Sequence, residues 1–226
     1  MEVPKPLRMR LLLPLTLCCA LVAADMASAQ GCGSSHRPPR SAPVGVAPLA
    51  IGDSVMLGAA GQLARRGFEV DARCARNPDE GLGMLRQRRR RGTLPEIVVL
   101  ALGTNVAMSR RDVRRMLRAV GRRRTLMLVT PYRQWRPFYT GPMRFGARRW
   151  PKRVKLIDWS HRAERNRHWI WSDGTHLRPA GVDAYTRIIK RAAWSRQRGR
   201  FNARGGRAQP EPRAAAARSA LRHVRR

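Results

Sequence analysis

The sequence predicts an α/β fold: a three-layer α/β/α sandwich around a central, mostly parallel sheet of five strands. Three observations predict it. Short apolar runs alternate with amphipathic stretches from about residue 45 to residue 194. Two of the runs, Glu96–Leu102 and Thr125–Thr130, are apolar almost throughout, the pattern of strands covered on both faces. The groups able to carry chemistry fall just after predicted strands, where open α/β sheets place their sites.

Each element has its own signal. Val46–Ile51 is a short apolar strand, and Val55–Arg66 suits a helix that Gly67 ends. Phe68–Arg73 alternates as a strand does, and Pro78–Arg91 carries Leu82 and Leu85 against a basic face, as a helix does. Glu96–Leu102 is the third strand. Arg110–Val120 is helical, with Val113, Met116, Leu117 and Val120 on one stripe. Thr125–Thr130 and Val154–Trp159 are the fourth and fifth strands. Ala180–Trp194 is a final amphipathic helix with Ala184, Ile188 and Ile189 turned inward. Alternation of this kind gives a parallel sheet with helices on both sides.

The ends of the chain differ in composition from this core. Lys5, Arg8 and Arg10 precede an apolar stretch, Leu11–Ala24, and Ala27-Ser28-Ala29 matches a small-x-small cleavage site. Residues 1–29 therefore read as a secretory signal peptide, with the mature start at Gln30 and the protein secreted, periplasmic or held in the cell envelope. An uncleaved anchor is the alternative. No later segment is long and apolar enough to span a bilayer, so the mature chain is expected to lack a transmembrane segment. Residues 30–44, rich in Gly, Ser, Pro and Arg, read as a linker, and residues 195–226 as a basic, disordered tail. The domain between them spans residues 45–194. Cys18 and Cys19 leave with the signal, so Cys32 and Cys74 remain to form one disulfide or to stay as two thiols. Two isolated cysteines offer too few ligands for zinc, and no metal site is expected. The 47 Lys and Arg against 14 Asp and Glu give a net charge of +33, which attracts anionic polymers of any kind. Much of that charge can equally be solvated helix faces and tails. No helix-turn-helix, zinc or RNA-binding signature accompanies it, so no specific nucleic-acid partner is expected.

Three strand-end loops hold reactive groups. Gly52-Asp53-Ser54-Val55 follows the first strand, placing Ser54 at a helix start, where free N–H groups and the dipole favour negative charge. Such a serine can be a nucleophile whose own amide donates to an oxyanion; a plain N-cap serine is the simpler alternative. Gly103-Thr104-Asn105 follows the third strand, and an Asn amide there can donate to the same oxyanion or merely shape its turn. Asp173-Gly174-Thr175-His176 comes late in the chain. A carboxylate three residues before a histidine can fix the tautomer that takes a proton at the other ring nitrogen; a surface histidine near a helix-capping aspartate is the alternative. In combination the three loops read as a catalytic triad, Ser54, Asp173 and His176.

The blocks IGDSV (51–55), LGTN (102–105) and DGTHL (173–177) resemble those of the SGNH, or GDSL-type, hydrolases, whose fold is flavodoxin-like. The resemblance runs from about Val46 to Trp194. GDSVMLGA (52–59), VDAR (70–73), LIDW (156–159), Pro179, Gly181 and Tyr185 are most similar to the SGNH domains of cell-wall and peptidoglycan O-acetyltransferases. The resemblance implies Ser54 as nucleophile, His176 as base, Asp173 as its orienting partner, and an oxyanion hole of the Ser54 amide, Ala75 and Asn105, with no cofactor. Ala75 departs from the pattern, because the family usually has glycine there and alanine resists positive φ. The membrane acyltransferase module that often precedes such domains has no counterpart in this sequence.

The long connection 131–152 alternates aromatic and cationic residues, among them Tyr132, Arg133 and Trp135, as a substrate wall or lid would; an aromatic cluster closing the loop on itself is the plainer reading. Trp159, Trp169 and Trp171 are expected to pack beneath the Asp173–His176 loop. His36, His161, His168 and His223 are expected at the surface without partners. The resulting expectation is a serine esterase or acyltransferase acting on O-acyl groups of extracellular glycans. The alternative is a non-catalytic basic module that holds an anionic cell-envelope polymer.

Overall fold

A computed structural model describes residues 33–37, 45–134 and 139–203. Its strands are β1 (Ser34–Arg37), β2 (Leu49–Gly52), β3 (Glu69–Arg73), β4 (Ile97–Ala101), β5 (Thr125–Val129) and β6 (Val154–Ile157). They form one sheet in the order β1-β3-β2-β4-β5-β6, in which β2 to β6 run parallel. These five are the strands expected from the apolar runs, with small shifts at their ends.

β1 makes the sheet six-stranded rather than five-stranded. It pairs antiparallel with β3, Ser34 opposite Arg73 and Arg37 opposite Val70, so part of the expected linker belongs to the sheet. Ser-Ser-His-Arg has no apolar run to announce a strand. Its place is set from a distance: His36 Nε2 lies 2.9 Å from the carboxylate of Glu69, which is fully buried on β3 and also pairs with Arg88. His36 is therefore not the partnerless surface histidine expected. The described residues from Ser34 onward belong to one compact unit.

The helices are α1 (Ser54–Arg65), α2 (Pro78–Arg90), α3 (Arg110–Val120), α4 (Gly141–Arg149), α5 (Trp159–Glu164) and α6 (Pro179–Ala203). Local chemistry fixes their starts. Asn77 and Glu80 form a capping box at α2 with Pro78 in its first turn, and Ser109 and Asp112 form another at α3. α4 and α5 were not foreseen. α6 runs nine residues past Trp194 into the expected tail; helix-favouring Arg and Gln continue it, and Arg196 ties it to the Thr125 hydroxyl and the Lys152 carbonyl.

Strand side chains alternate between two cores, as a two-residue period requires. Ala50, Val70, Val99, Met127 and Val129 face α1 and α6, with Met56, Leu63, Tyr185 and Ile189. Leu49, Ile51, Val98, Leu100, Leu126 and Leu128 face α2, α3 and α4, with Leu85, Val113, Met116 and Met143. The result is the α/β/α sandwich. No helix among the described residues is long and apolar enough to cross a membrane.

The chain leaves β2 for β3 on one side, then returns to β4 on the other side of β2. That reversal opens a crevice beyond the carboxyl ends of β2 and β4, where such sheets place their ligands. Residues 53–54 and 103–105 follow those two strands.

Candidate active site

β2 ends at Gly52, and Asp53 caps α1 by accepting from the Val55 amide at 3.1 Å. The Asp53 amide donates to the Ala101 carbonyl at 3.1 Å, locking this turn to the end of β4. Ser54 is thereby the first residue of α1, half-buried, where a backbone N–H lacks an intrahelical acceptor. Asp53 itself is buried. Burial raises its pKa, although Thr104 and the Val55 amide donate to it. Tyr185 lies wholly buried on the same side, and burial first, then the Asp53 charge, push its hydroxyl pKa well above the usual value.

The second half of the site comes from the loop before α6. Asp173 Oδ1 accepts from the amides of Thr175 (2.9 Å) and His176 (3.0 Å), which closes the loop on itself. Its other oxygen lies 2.7 Å from His176 Nδ1, and His176 Nε2 lies 3.0 Å from Ser54 Oγ. Burial acts to raise the Asp173 pKa, but the donors from His176 and Thr175 outweigh it and hold the carboxyl below its ordinary value. An ionised carboxylate only accepts, so Nδ1 carries the ring proton and Nε2 is left to accept from the Ser54 hydroxyl. The arrangement can therefore draw a proton from Ser54. Side chains 122 positions apart in sequence meet here.

The loop itself is seated on three sides. An antiparallel bridge joins Ile170 to Leu177, the Gln134 amide donates to the Gly174 carbonyl, and the Arg178 amide donates to the Trp169 carbonyl. Trp159 is buried and stacks on Trp169 with ring centroids 5.9 Å apart, and it meets Tyr185 edge-on. Trp171 departs from the expected packing: it is half-exposed, with the Arg178 guanidinium 5.0 Å over its ring.

Asn105 lies exposed on the loop after β4. Ala75, after β3, has φ +54°, the only non-glycine residue at positive φ among the described residues. The sequence-level concern was well placed: this backbone position asks for glycine and carries alanine. Two features hold the loop in that conformation. Cys74 is disulfide-bonded; the expected partner, Cys32, lies outside the described residues. Arg76, almost wholly buried, donates to the Asp71 carbonyl and carboxylate and reaches the Gly52 carbonyl at 3.2 Å. Arg76 thus ties the Ala75 loop to the turn that presents Ser54. Sequence reasoning missed it, because an arginine in an arginine-rich chain carries no signal of burial.

The expected substrate wall is redistributed. Tyr132 is only 2% exposed and packs in the core beneath the crevice, with Glu164 and Arg167 near its hydroxyl, so it cannot line a substrate path. It follows β5 by three residues and shares the core with Val129, Trp159 and Tyr185. Arg133 is half-buried and donates to the Thr104 carbonyl, bracing the loop that carries Asn105. Trp135 lies outside the described residues.

Several solved structures share this architecture. The C-terminal catalytic domain of Streptococcus pneumoniae peptidoglycan O-acetyltransferase A, solved with a methylsulfonyl adduct, matches with a TM-score of 0.58 at 22% identity, covering 69% of this chain and 96% of that one. A GDSL-like lipase from Bacteroides thetaiotaomicron matches with a TM-score of 0.53 at 15% identity, over 76% and 95%. A protein assigned to the SGNH hydrolases from Slackia heliotrinireducens matches at 0.51 and 19% identity, over 65% and 97%. The chain has the SGNH-hydrolase fold. No family model matches the sequence, and no curated protein matches it. The likeness these structures show is one of backbone fold. In this chain the turn after β2 and the loop before α6 meet at one crevice.

Proposed function

We propose that this chain is an exported serine esterase or acyltransferase that acts on O-acyl groups of extracellular glycans. One observation carries the reading: the unbroken relay from the Asp173 carboxylate through the His176 ring to the Ser54 hydroxyl. Ser54 Oγ attacks the ester carbonyl as His176 Nε2 takes its proton. The oxyanion that forms is met by the Ser54 amide, the Ala75 amide and the Asn105 side chain. Collapse of the tetrahedral intermediate expels the alcohol, which leaves with the proton from His176, and the acyl group stays on Ser54. Water or a sugar hydroxyl then attacks that acyl-serine, returning its own proton through His176 and freeing the hydroxyl of Ser54.

The half-exposed rings and carboxylate at the site, 47% for His176 and 48% for Asp173, give water access to the acyl-enzyme and favour hydrolysis where no acceptor is bound. Exposed Val106 and Trp171 sit on the loops that carry Asn105 and Asp173 and offer apolar contacts to an acyl group or a sugar face. The likeness to a peptidoglycan O-acetyltransferase domain supports a glycan O-acetyl substrate. The signal-like composition of residues 1–29 supports export.

The test is mass spectrometry of the intact protein after exposure to an aryl acetate and, separately, to a sulfonyl fluoride. Acetyl or sulfonyl mass on Ser54 is expected, with loss of both in Ser54→Ala. Turnover should fall by about a thousandfold or more in Ser54→Ala and His176→Ala. Full aryl acetate turnover by Ser54→Ala would end the proposal.

A further inference from the structure

The edge of the sheet opposite Ser54 holds a second concentration of chemistry. α2 and α3 end there, and Arg124 and Arg153 immediately precede β5 and β6. Arg89, Arg118, Arg122, Arg123, Arg124 and Arg153 line a cleft of about 490 Å³ around Leu117 and Gly121. A second cleft of about 450 Å³ adjoins it, sharing Arg89 and Arg118 and adding Arg86, Arg90 and Arg115.

The guanidiniums of Arg89, Arg124 and Arg153 are held in place by backbone carbonyls rather than by carboxylates. Arg89 donates to the Arg118 and Ala119 carbonyls, Arg124 to the Leu94 and Val120 carbonyls, and Arg153 to the Leu117 and Gly121 carbonyls. All of these bonds except that to Leu94 fall on the carboxyl end of α3, whose dipole favours cations. Carbonyls carry no net charge, however, and no ion pair with a carboxylate forms at Arg86, Arg89, Arg90, Arg118, Arg122, Arg124 or Arg153 among the described residues. Arg115, in the second cleft, is balanced by Asp79 and Asp112. The Nε of Arg153 is buried without an acceptor, and burial, then the charge of Arg122, lower the Arg153 pKa. An anion seated among like charges so close would offset their mutual repulsion.

We infer that this double cleft is a binding site for a linear polyanion carrying repeated phosphate groups. Guanidinium forks match phosphate oxygens in pairs. Two adjoining clefts sharing two arginines suit successive charges along one chain rather than a single ion. No aromatic ring lines either cleft, so the bases of a single strand have no platform to stack on, which favours a base-free polymer. The site lies on the opposite edge of the sheet from Ser54 and does not depend on the reading of that residue. It would hold the protein on a phosphate-rich matrix while leaving the crevice open.

The probe is fluorescently labelled inorganic polyphosphate, with binding to the full chain followed by anisotropy over a range of salt. The variant Arg86→Gln/Arg118→Gln/Arg122→Gln removes three cleft charges whose guanidiniums make no hydrogen bond or ion pair among the described residues. The variant Arg65→Gln/Arg111→Gln/Arg148→Gln removes three exposed charges elsewhere. The cleft variant should weaken binding about tenfold or more and lower the log–log salt slope by about 2, whereas the second should weaken it less than about threefold. Equal weakening by the two variants would reduce the effect to net charge and overturn the site. Single-stranded DNA of matched charge that binds as tightly, with the same loss in the cleft variant, would overturn the base-free assignment. Circular dichroism checks folding. If the triple variant does not fold, Arg122→Gln alone replaces it: about a twofold loss supports the site and unchanged binding overturns it.

Discussion

Ala75 holds a backbone conformation that an L side chain resists, with φ +54° in a loop clamped by a bonded Cys74 on one side and a buried Arg76 on the other. The strain is local, and a residue without Cβ would relieve it. Ala75→Gly should raise stability by about 0.5–1 kcal/mol, the left-handed penalty less the extra chain entropy of glycine, measured by urea denaturation. A loss of stability would mean that the conformation costs nothing here. The residues of the relay were readable in the sequence because serine, histidine and aspartate at strand ends are chemically distinctive. Arg76 and Tyr132 were not, because neither an arginine among dozens nor one aromatic among several reveals which way it points. Arg76 proved to be a brace of the site, and Tyr132, expected on its wall, proved to be core.

At the scale of elements, two packing contacts hold the loops in register. The first is the joint of β1, β3 and α2 at Glu69, whose carboxylate meets Arg88 and His36. Burial acts to raise its pKa, but hydrogen bonds from Arg88 and His36 win and lower it. A carboxyl that binds its proton less readily when folded stabilises the fold above its unfolded pKa of about 4.3, and that contribution disappears as pH falls through the lower folded value. The melting temperature should therefore fall more steeply between about pH 5 and pH 3 in the native protein than in Glu69→Gln. At neutral pH Glu69→Gln should cost about 2–4 kcal/mol, since it leaves Arg88 facing an uncharged group. Parallel pH profiles for the two proteins would argue against the joint. The second contact is Gly181 in the first turn of α6. A Cβ there would lie 2.1 Å from the Trp169 carbonyl oxygen, backbone that cannot step aside. Gly181→Ala should destabilise by about 2 kcal/mol or more and, because Arg178 and Trp169 anchor the His176 loop, lower turnover as well. A calorimetric scan and an ester assay on the same preparation would check both.

At the scale of the whole molecule, the proposed export has a direct test. Mass spectrometry of the protein recovered from outside the cytoplasm should find Gln30 as its first residue; a chain still beginning at Met1 would remove the signal reading. Beyond that, the sequence by itself determined the parallel α/β layering, since uninterrupted apolar runs must be covered on both faces and strands alternating with helices leave few ways to do it. It also named the three side chains, Ser54, Asp173 and His176, that the fold brings together. Only the tertiary structure decided that Ser-Ser-His-Arg is an edge strand, that α6 continues into the basic tail, and that Ser54 and His176 lie within 3.0 Å. Only the structure gathered scattered arginines at the far edge of the sheet into one cleft. Local patterns encode period and burial, whereas edge pairing and the meeting of distant loops depend on contacts that no short window of sequence contains.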